Sequence, residues 1–236
     1  MTPECTSESS DSVAIKGIDL RSVLIGYGFS WRKRALVRDF TGRSDVRFLS
    51  RAAAVPAGAD LLLWGSAPVP ANLPDGVRVV RVEDGFLRSV GLGADLTRPM
   101  SWVLDARGMY YDARTPSDLE AMLQTTVFSD SLKRRASALM EQLVRSGLSK
   151  YNVGGTPWHR PDTAGLVVLV VGQVQTDASI ATGTVDVKSN MALLQTVREA
   201  RPHAWIVYKP HPDVVAGLRG SGALRLPPWH AGVAQW

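Results

Sequence analysis

The chain has 236 residues, 45% of them hydrophobic and 21% charged, with a formal net charge of +5. That length suits one large domain or two modest ones with a sizeable buried core, and the single cysteine, Cys5, excludes an internal disulfide and a cysteine-based zinc cage. The positive charge is spread rather than gathered in a tail, so no nucleic-acid partner is expected. Its densest cluster, Arg32-Lys33-Arg34, reads as a solvated helix face with a weak preference for phosphates, anionic glycans or an anionic membrane surface.

Residues 1–20 are rich in Ser and acids and read as a disordered N-terminus. They hold no basic start followed by an apolar block, so no secretory signal is read there. No apolar run approaches membrane-spanning length. A cytoplasmic protein is expected, at most peripheral on the inner membrane. A first unit, residues 21–150, opens with a buried strand at Ser22-Val-Leu-Ile25. Gly26-Tyr-Gly28 reads as a turn, and Ser30 as the cap of a helix through Asp39. Val46-Arg-Phe-Leu49, Leu61-Leu-Leu-Trp64 and Val77-Arg-Val-Val-Arg-Val82 read as further strands, giving a Rossmann-like start. Trp102-Val-Leu104 and Met109-Tyr-Tyr111 flank Asp105-Ala-Arg-Gly108 and predict a small hairpin. Ser117-Asp-Leu-Glu120 is a capping-box signature opening a helix, because Ser and Glu can satisfy each other's free backbone donors. Another helix is expected over about 131–146, stopped by Gly147.

Residues 151–164, rich in Gly, Pro and polar groups, read as a linker. A second α/β unit occupies 165–217: a strand at 166–171, a helix at about 189–200 and a strand at 204–208. The tail, 218–236, shows neither helical nor strand period. The unit is therefore expected to end after about two strands with an unpaired sheet edge, through truncation or an out-of-frame end near Gly220.

Three polar segments carry the candidate chemistry, each at a strand end, where open α/β sheets hold ligands. Glu83-Asp84-Gly85 follows the strand 77–82. Two adjacent acids there point in different directions, so only one is expected to face a cleft; an acid-stabilised turn explains the same letters. Asp177 follows the apolar strand 166–171, among Gln173, Gln175, Thr176 and Ser179, which suit a carboxylate held ionised by hydrogen bonds; an N-cap aspartate is the alternative. Lys209-Pro-His211-Pro-Asp213 follows the last strand. Lys209 and His211, two apart in an extended segment, fall on one side and suit a phosphate oxygen; a solvated loop histidine is the alternative. Gly26-Tyr-Gly28 begins like a dinucleotide fingerprint, but the third glycine position holds Trp31. No Walker lysine, helical His-Glu-x-x-His or paired-cysteine motif is present, so neither cofactor nor metal is expected.

These segments, with Gly26-Tyr-Gly-Phe-Ser-Trp31, Val82-Glu-Asp-Gly-Phe-Leu-Arg-Ser-Val-Gly-Leu-Gly93, Gly108-Met-Tyr-Tyr-Asp112, Gly147-Leu-Ser-Lys-Tyr-Asn-Val153, Gly172-Gln-Val-Gln-Thr-Asp-Ala-Ser-Ile180 and Ile206-Val-Tyr-Lys-Pro-His-Pro-Asp-Val214, resemble the capsule polysaccharide biosynthesis and export family. Its members include retaining β-Kdo (3-deoxy-manno-octulosonate) transferases of the capsule lipid linker. The resemblance implies a GT-B-like α/β fold of two Rossmann-like domains, the second incomplete here. It also implies a CMP-Kdo donor and a lipid-linked glycan acceptor. It makes Asp177 the nucleophile and Glu83 the general base. His211, helped by Lys209, would hold the departing CMP phosphate, and Asp84, Arg88, Gln173 and Ser179 would bind substrate. The alternatives are a non-catalytic fragment or export-associated CMP-sugar-binding protein, and an inverting transferase of the sialic-acid type.

Overall fold

The computed structural model describes residues 18–93, 96–153, 158–162 and 164–217, together with the backbone of 233–235. The first sheet holds β1 (Leu24–Tyr27), β2 (Arg47–Leu49), β3 (Asp60–Trp64), β4 (Arg78–Asp84) and β5 (Trp102–Asp105), in the order β2-β1-β3-β4-β5. The pairs β1/β2, β1/β3 and β3/β4 are parallel, and β5 runs antiparallel to β4. β3 explains the arrangement. Leu61, Leu62 and Leu63 are all buried, as a central parallel strand covered on both faces requires. Side chains alternate, so Leu62 joins Leu24, Val37, Val46, Val80 and Val82 on one face. Leu61 and Leu63 join Ile25, Val55 and Ala59 on the other. Each such leucine contributes about 1.5–3 kcal/mol.

Helix α1 (Trp31–Thr41) links β1 to β2 and buries Val37. Ser30 occupies its N-cap position, but the cap is made by the Ser30 carbonyl, which accepts from the Lys33 and Arg34 N–H groups; its hydroxyl caps nothing. Gly26 and Tyr27, read as a turn, belong to β1. A Cβ on Gly26 would lie 2.6 Å from the Phe48 ring, so this glycine serves close strand packing.

The expected hairpin is replaced. β5 pairs with β4, and Met109–Tyr111 form a turn rather than a strand. Asp105 decides this. Its buried carboxylate accepts from the backbone N–H groups of Arg107 (2.9 Å), Gly108 (2.8 Å) and Asp118 (2.9 Å), which folds the chain over at the strand's end. Helix α2 (Asp118–Thr125) follows, with Ser117 Oγ accepting from the Glu120 N–H at 3.0 Å. Helix α3 (Asp130–Arg145) is capped by Ser129, and Gly147 ends it at φ 60°.

The second sheet holds β6 (Val167–Val171), β7 (Trp205–Lys209) and β8 (Val233–Gln235), all parallel, in that order. Between β6 and β7 lie α4 (Ala178–Gly183) and α5 (Asn190–Ala200), and α6 (Pro212–Val215) follows β7. Leu194 of α5 packs on Val170, Ile206 and Tyr208. β8 corrects the expectation of a two-strand unit with an open edge, because it covers the far side of β7. The remaining expectations for residues 1–17 and for 154–157, 163, 218–232 and 236 fall outside the described residues. No helix among the described residues is long and apolar enough to cross a membrane.

Candidate active site

In the first sheet, strand order reverses at β1, and β1, β3 and β4 all end on one side. Open α/β sheets bind ligands at that place. A cleft of about 1300 Å³ lies there, and the segments that follow β6 and β7 line its opposite wall.

Glu83 and Asp84 close β4, and both line the cleft, which corrects the expectation that only one would. The longer Glu83 side chain bends back, so its Oε1 accepts from the Asp84 N–H at 2.9 Å. Gly65, at φ 51°, makes room for the rest of that carboxylate. A Cβ there would sit 2.9 Å from Glu83 Oε2 and 3.1 Å from the Tyr111 hydroxyl. Burial pushes the Glu83 carboxyl above its ordinary pKa, and the Asp84 charge adds to this. The Asp84 N–H, Lys33 and Lys150 pull the other way without cancelling it. Asp84 Oδ2 pairs with Arg88 Nε at 2.6 Å, while its Oδ1 is buried and takes no hydrogen bond from any described residue. The buried Arg88 also donates to Ser89 Oγ (2.9 Å) and the Thr97 carbonyl (3.0 Å).

Asp177 faces this pair from the second unit. It is both things the sequence allowed: a lining residue of the cleft and the N-cap of α4. The Ser179 N–H (2.9 Å) and hydroxyl (2.7 Å) both donate to Oδ1 and orient the carboxylate. Gln173 lines the cleft too, but its own polar groups hold the loop. Its N–H donates to Asn190 Oδ1 (2.9 Å), its carbonyl accepts from Asn190 Nδ2 (2.8 Å), and its Oε1 accepts from the Val174 N–H (2.8 Å).

His211 caps α6 and lines the cleft. Its Nδ1 accepts from the Asp213 N–H at 3.1 Å, so the neutral ring carries its proton on Nε2. The ring stands edge-on to Tyr151 at 6.1 Å. Lys209 is not among the lining residues. It is the last residue of β7, paired with Val171, while His211 lies beyond the strand, so the alternation expected to align the two does not extend across Pro210.

Several lining residues were not assigned from sequence. Tyr110 and Tyr111 belong to the motif Gly108-Met-Tyr-Tyr-Asp112. Burial first, and then the nearby carboxylates, push both phenols up to about 12: Glu83, Asp84 and Asp177 for Tyr110, chiefly Glu83 for Tyr111, with a Ser66 hydrogen bond opposing in the latter. Lys33 stands 3.0 Å over the centre of the Trp64 ring. Lys150 and Tyr151 sit on a loop whose carbonyls accept from the Arg88 (2.8 Å), Ser89 (3.2 Å) and Gly91 (2.7 Å) N–H groups. The cluster Arg32-Lys33-Arg34, expected on a solvated helix face, lies in α1 and gives Arg32 and Lys33 to the cleft lining.

The arrangement resembles known proteins. The capsule polysaccharide modification protein LipA of Neisseria meningitidis is 42% identical over 218 residues, 88% of this chain and 31% of LipA. The lipopolysaccharide-processing protein LpsZ of Rhizobium meliloti is 39% identical over 166 residues, 67% of this chain and 38% of LpsZ. The chain thus spans about a third of the length of these relatives. Two solved structures of Thermosulfurimonas dismutans KpsC are similar. The β-Kdo 2,7 transferase matches at TM-score 0.65 and 35% identity, over 83% of this chain and 64% of that one. The β-Kdo 2,4 transferase matches at TM-score 0.75 and 26% identity, over 92% and 68%. The mixed α/β architecture with mostly parallel strands is consistent with a Rossmann-like, GT-B-type glycosyltransferase unit. The family model for capsule polysaccharide biosynthesis proteins matches residues 71–157 and 156–223, and the chain belongs to that family.

Proposed function

We propose that this chain is a retaining Kdo transferase unit that moves Kdo from CMP-Kdo to a lipid-linked glycan acceptor. On this reading residues 21–150 form the acceptor-side domain and 165–217 part of the nucleotide-sugar domain of a GT-B pair. The work is done at the cytoplasmic face of the inner membrane, in peripheral contact with it. The observation that carries the proposal is the meeting of Glu83, Asp177 and His211, from two different sheets, around one cleft.

Retention needs two successive inversions at one carbon. In the first, an Asp177 oxygen attacks the anomeric carbon, the bond to the phosphate oxygen breaks, and CMP leaves with the electron pair. The His211 Nε2–H donates to that phosphate as its charge grows. In the second, the acceptor hydroxyl attacks the same carbon, the bond to Asp177 breaks, and Glu83 takes the hydroxyl proton. A carboxylate whose pKa is raised by burial is the stronger base for that step. Ser179 holds Asp177 in the attacking orientation. Arg88 fixes Asp84, whose buried Oδ1 can accept from a substrate hydroxyl.

The test is incubation with CMP-Kdo and a lipid-linked acceptor, with mass spectrometry of the protein. Glu83→Gln should accumulate a Kdo adduct on Asp177, and Asp177→Ala should form neither adduct nor product. Undiminished transfer by Asp177→Ala refutes the assignment. CMP binding by calorimetry without CMP-Kdo turnover would instead favour the sugar-nucleotide-binding reading.

A further inference from the structure

We propose that the turn Met109–Ala113 is a strut between the two units that sets the separation of the Glu83 and Asp177 carboxylates, with Tyr111 and Gly183 as its bearing points. At one end the Tyr111 ring reaches into the first unit. Its hydroxyl rests over Gly65, on the same side as Glu83 Oε2. At the other end the backbone of the same turn abuts α4, the helix that Asp177 caps. The Ala113 N–H donates to the Thr182 carbonyl at 3.1 Å, and the Tyr111 carbonyl oxygen lies 3.4 Å from Thr182 Oγ1, whose hydrogen goes to the Ala178 carbonyl at 2.8 Å. One residue therefore touches the seat of Glu83 with its side chain and the helix behind Asp177 with its carbonyl.

The turn is braced to transmit position. Met109 is buried, and its carbonyl accepts from the Asp112 N–H at 2.9 Å. A Cβ on Gly108 would lie 2.7 Å from the Pro116 carbonyl oxygen, so the segment has no slack at its start. Gly183 is the matching feature on α4. A Cβ there would fall 2.6 Å from the Tyr111 carbonyl oxygen, a backbone atom that cannot rotate away as a side chain would. A side chain at 183 forces α4 and the turn apart, and on the strut reading α4, with Asp177, moves away from the first unit. Gly183 and Tyr111 are positioning residues, acting through Asp177 and Glu83. The catalytic consequence rests on the roles proposed above, whereas the mechanical claim does not.

Two measurements on the full chain test this. For distance, nitroxide labels at the exposed positions Arg51→Cys and Glu199→Cys, in a Cys5→Ser background, report the spacing of the units by pulsed dipolar spectroscopy. Gly183→Ala should lengthen and broaden the distribution, and Ala181→Ser, an exposed change on the same helix, should leave it as in the parent. An unchanged distribution in Gly183→Ala overturns the strut. For chemistry, Gly183→Ala should lower acceptor-dependent transfer about 100-fold, the order that a displacement of about 1 Å costs. Single-turnover CMP release, the step that Asp177 and His211 of the second unit carry on that reading, should stay near the parental rate. Equal loss of both reactions would indicate simple misfolding and overturn the positioning role. A parent chain that neither releases CMP nor transfers sugar would defeat the transferase reading, and the distance measurement would still decide the strut.

Discussion

Replacing Asp60 by alanine should unsettle the fold while leaving the cleft chemistry intact, because this carboxylate lies at the amino end of β3, opposite the cleft. Its side chain is fully buried. It accepts from Arg78 Nε (2.8 Å) and Nη2 (2.6 Å) and from the Arg21 N–H (2.9 Å), with Arg21 Nε at 3.6 Å. Removing one partner of a buried pair costs about 3–5 kcal/mol, because it strands the other charge. Arg78 keeps 30% of its side chain in solvent and can regain water, which places the expected loss near the lower bound, about 3 kcal/mol. For a chain of this size that is a fall in Tm of about 6–12 °C. Burial alone would raise the Asp60 pKa, but the hydrogen bonds and charges of Arg78 and Arg21 outweigh it and hold the carboxyl below its usual range. Its stabilising contribution is therefore present above the ordinary carboxylate pKa and is lost as pH falls through the lowered one. The gap between parent and Asp60→Ala should be widest near neutrality and narrow in acid. Thermal unfolding followed by circular dichroism over a pH series measures this. A variant that melts with the parent at neutral pH, or that loses CMP binding without losing stability, would refute the reasoning.

Glu83→Gln should lower transfer about 10²–10⁴-fold, the usual contribution of a general base. The Glu83 pKa is raised in the fold, so the parent has its full stability below the ordinary carboxylate range and loses some as pH rises through the raised value. The glutamine variant should consequently be the more stable protein at neutral pH and equal to the parent in acid, as read by urea titration. His211→Ala should cost about 10²–10³-fold in CMP release. Because Nδ1 also caps the short helix α6, a stability loss of about 1 kcal/mol should accompany it, and single-turnover CMP release with a melting curve separates the two effects.

The parts of the fold legible in the sequence are those where one local signal dominates. Leu61-Leu-Leu-Trp64 and Val167–Val171 are apolar enough to be strands wherever they sit, and Ser117 announces α2 through a hydroxyl that does bond the Glu120 N–H. The failures come from contacts distant in sequence. Met109-Tyr-Tyr111 has the composition of a strand, yet Asp105 turns the chain and Tyr111 finds its place over Gly65, more than forty positions earlier. α4 is six residues ending in Thr-Gly, too short and too weak in propensity to be seen without the Asp177 cap in place. The same blindness hid part of the candidate site. Glu83, Asp177 and His211 stood out because each sits at or just beyond a strand end, whereas Lys33 stood only in a basic cluster and Lys150 only in a shared motif, and both reach the cleft through the packing of α1 and of the loop held by Arg88, Ser89 and Gly91.

Those two lysines bear on why four carboxylates share one cleft. Like charges about 4 Å apart at an effective dielectric near 20 repel by about 4 kcal/mol, and the proposed donor, with its own acid group and phosphate, would add to the burden. The lining answers with five Lys and Arg side chains against Glu83, Asp84, Asp177 and Asp213, besides His211. The placing is selective. Arg88 is tied to Asp84 at 2.6 Å, and Lys33 and Lys150 act on Glu83 from two different elements. Asp177 is oriented by neutral Ser179 donors, an arrangement that suits the nucleophile role proposed for it. Asp84 Oδ1 is the remaining cost, since a buried acceptor without a donor forfeits about 1–3 kcal/mol. A fold tolerates such a loss where binding restores it, and a sugar hydroxyl donating to that oxygen would do so. The same balance that lets the acids coexist thus leaves one of them in want of a ligand.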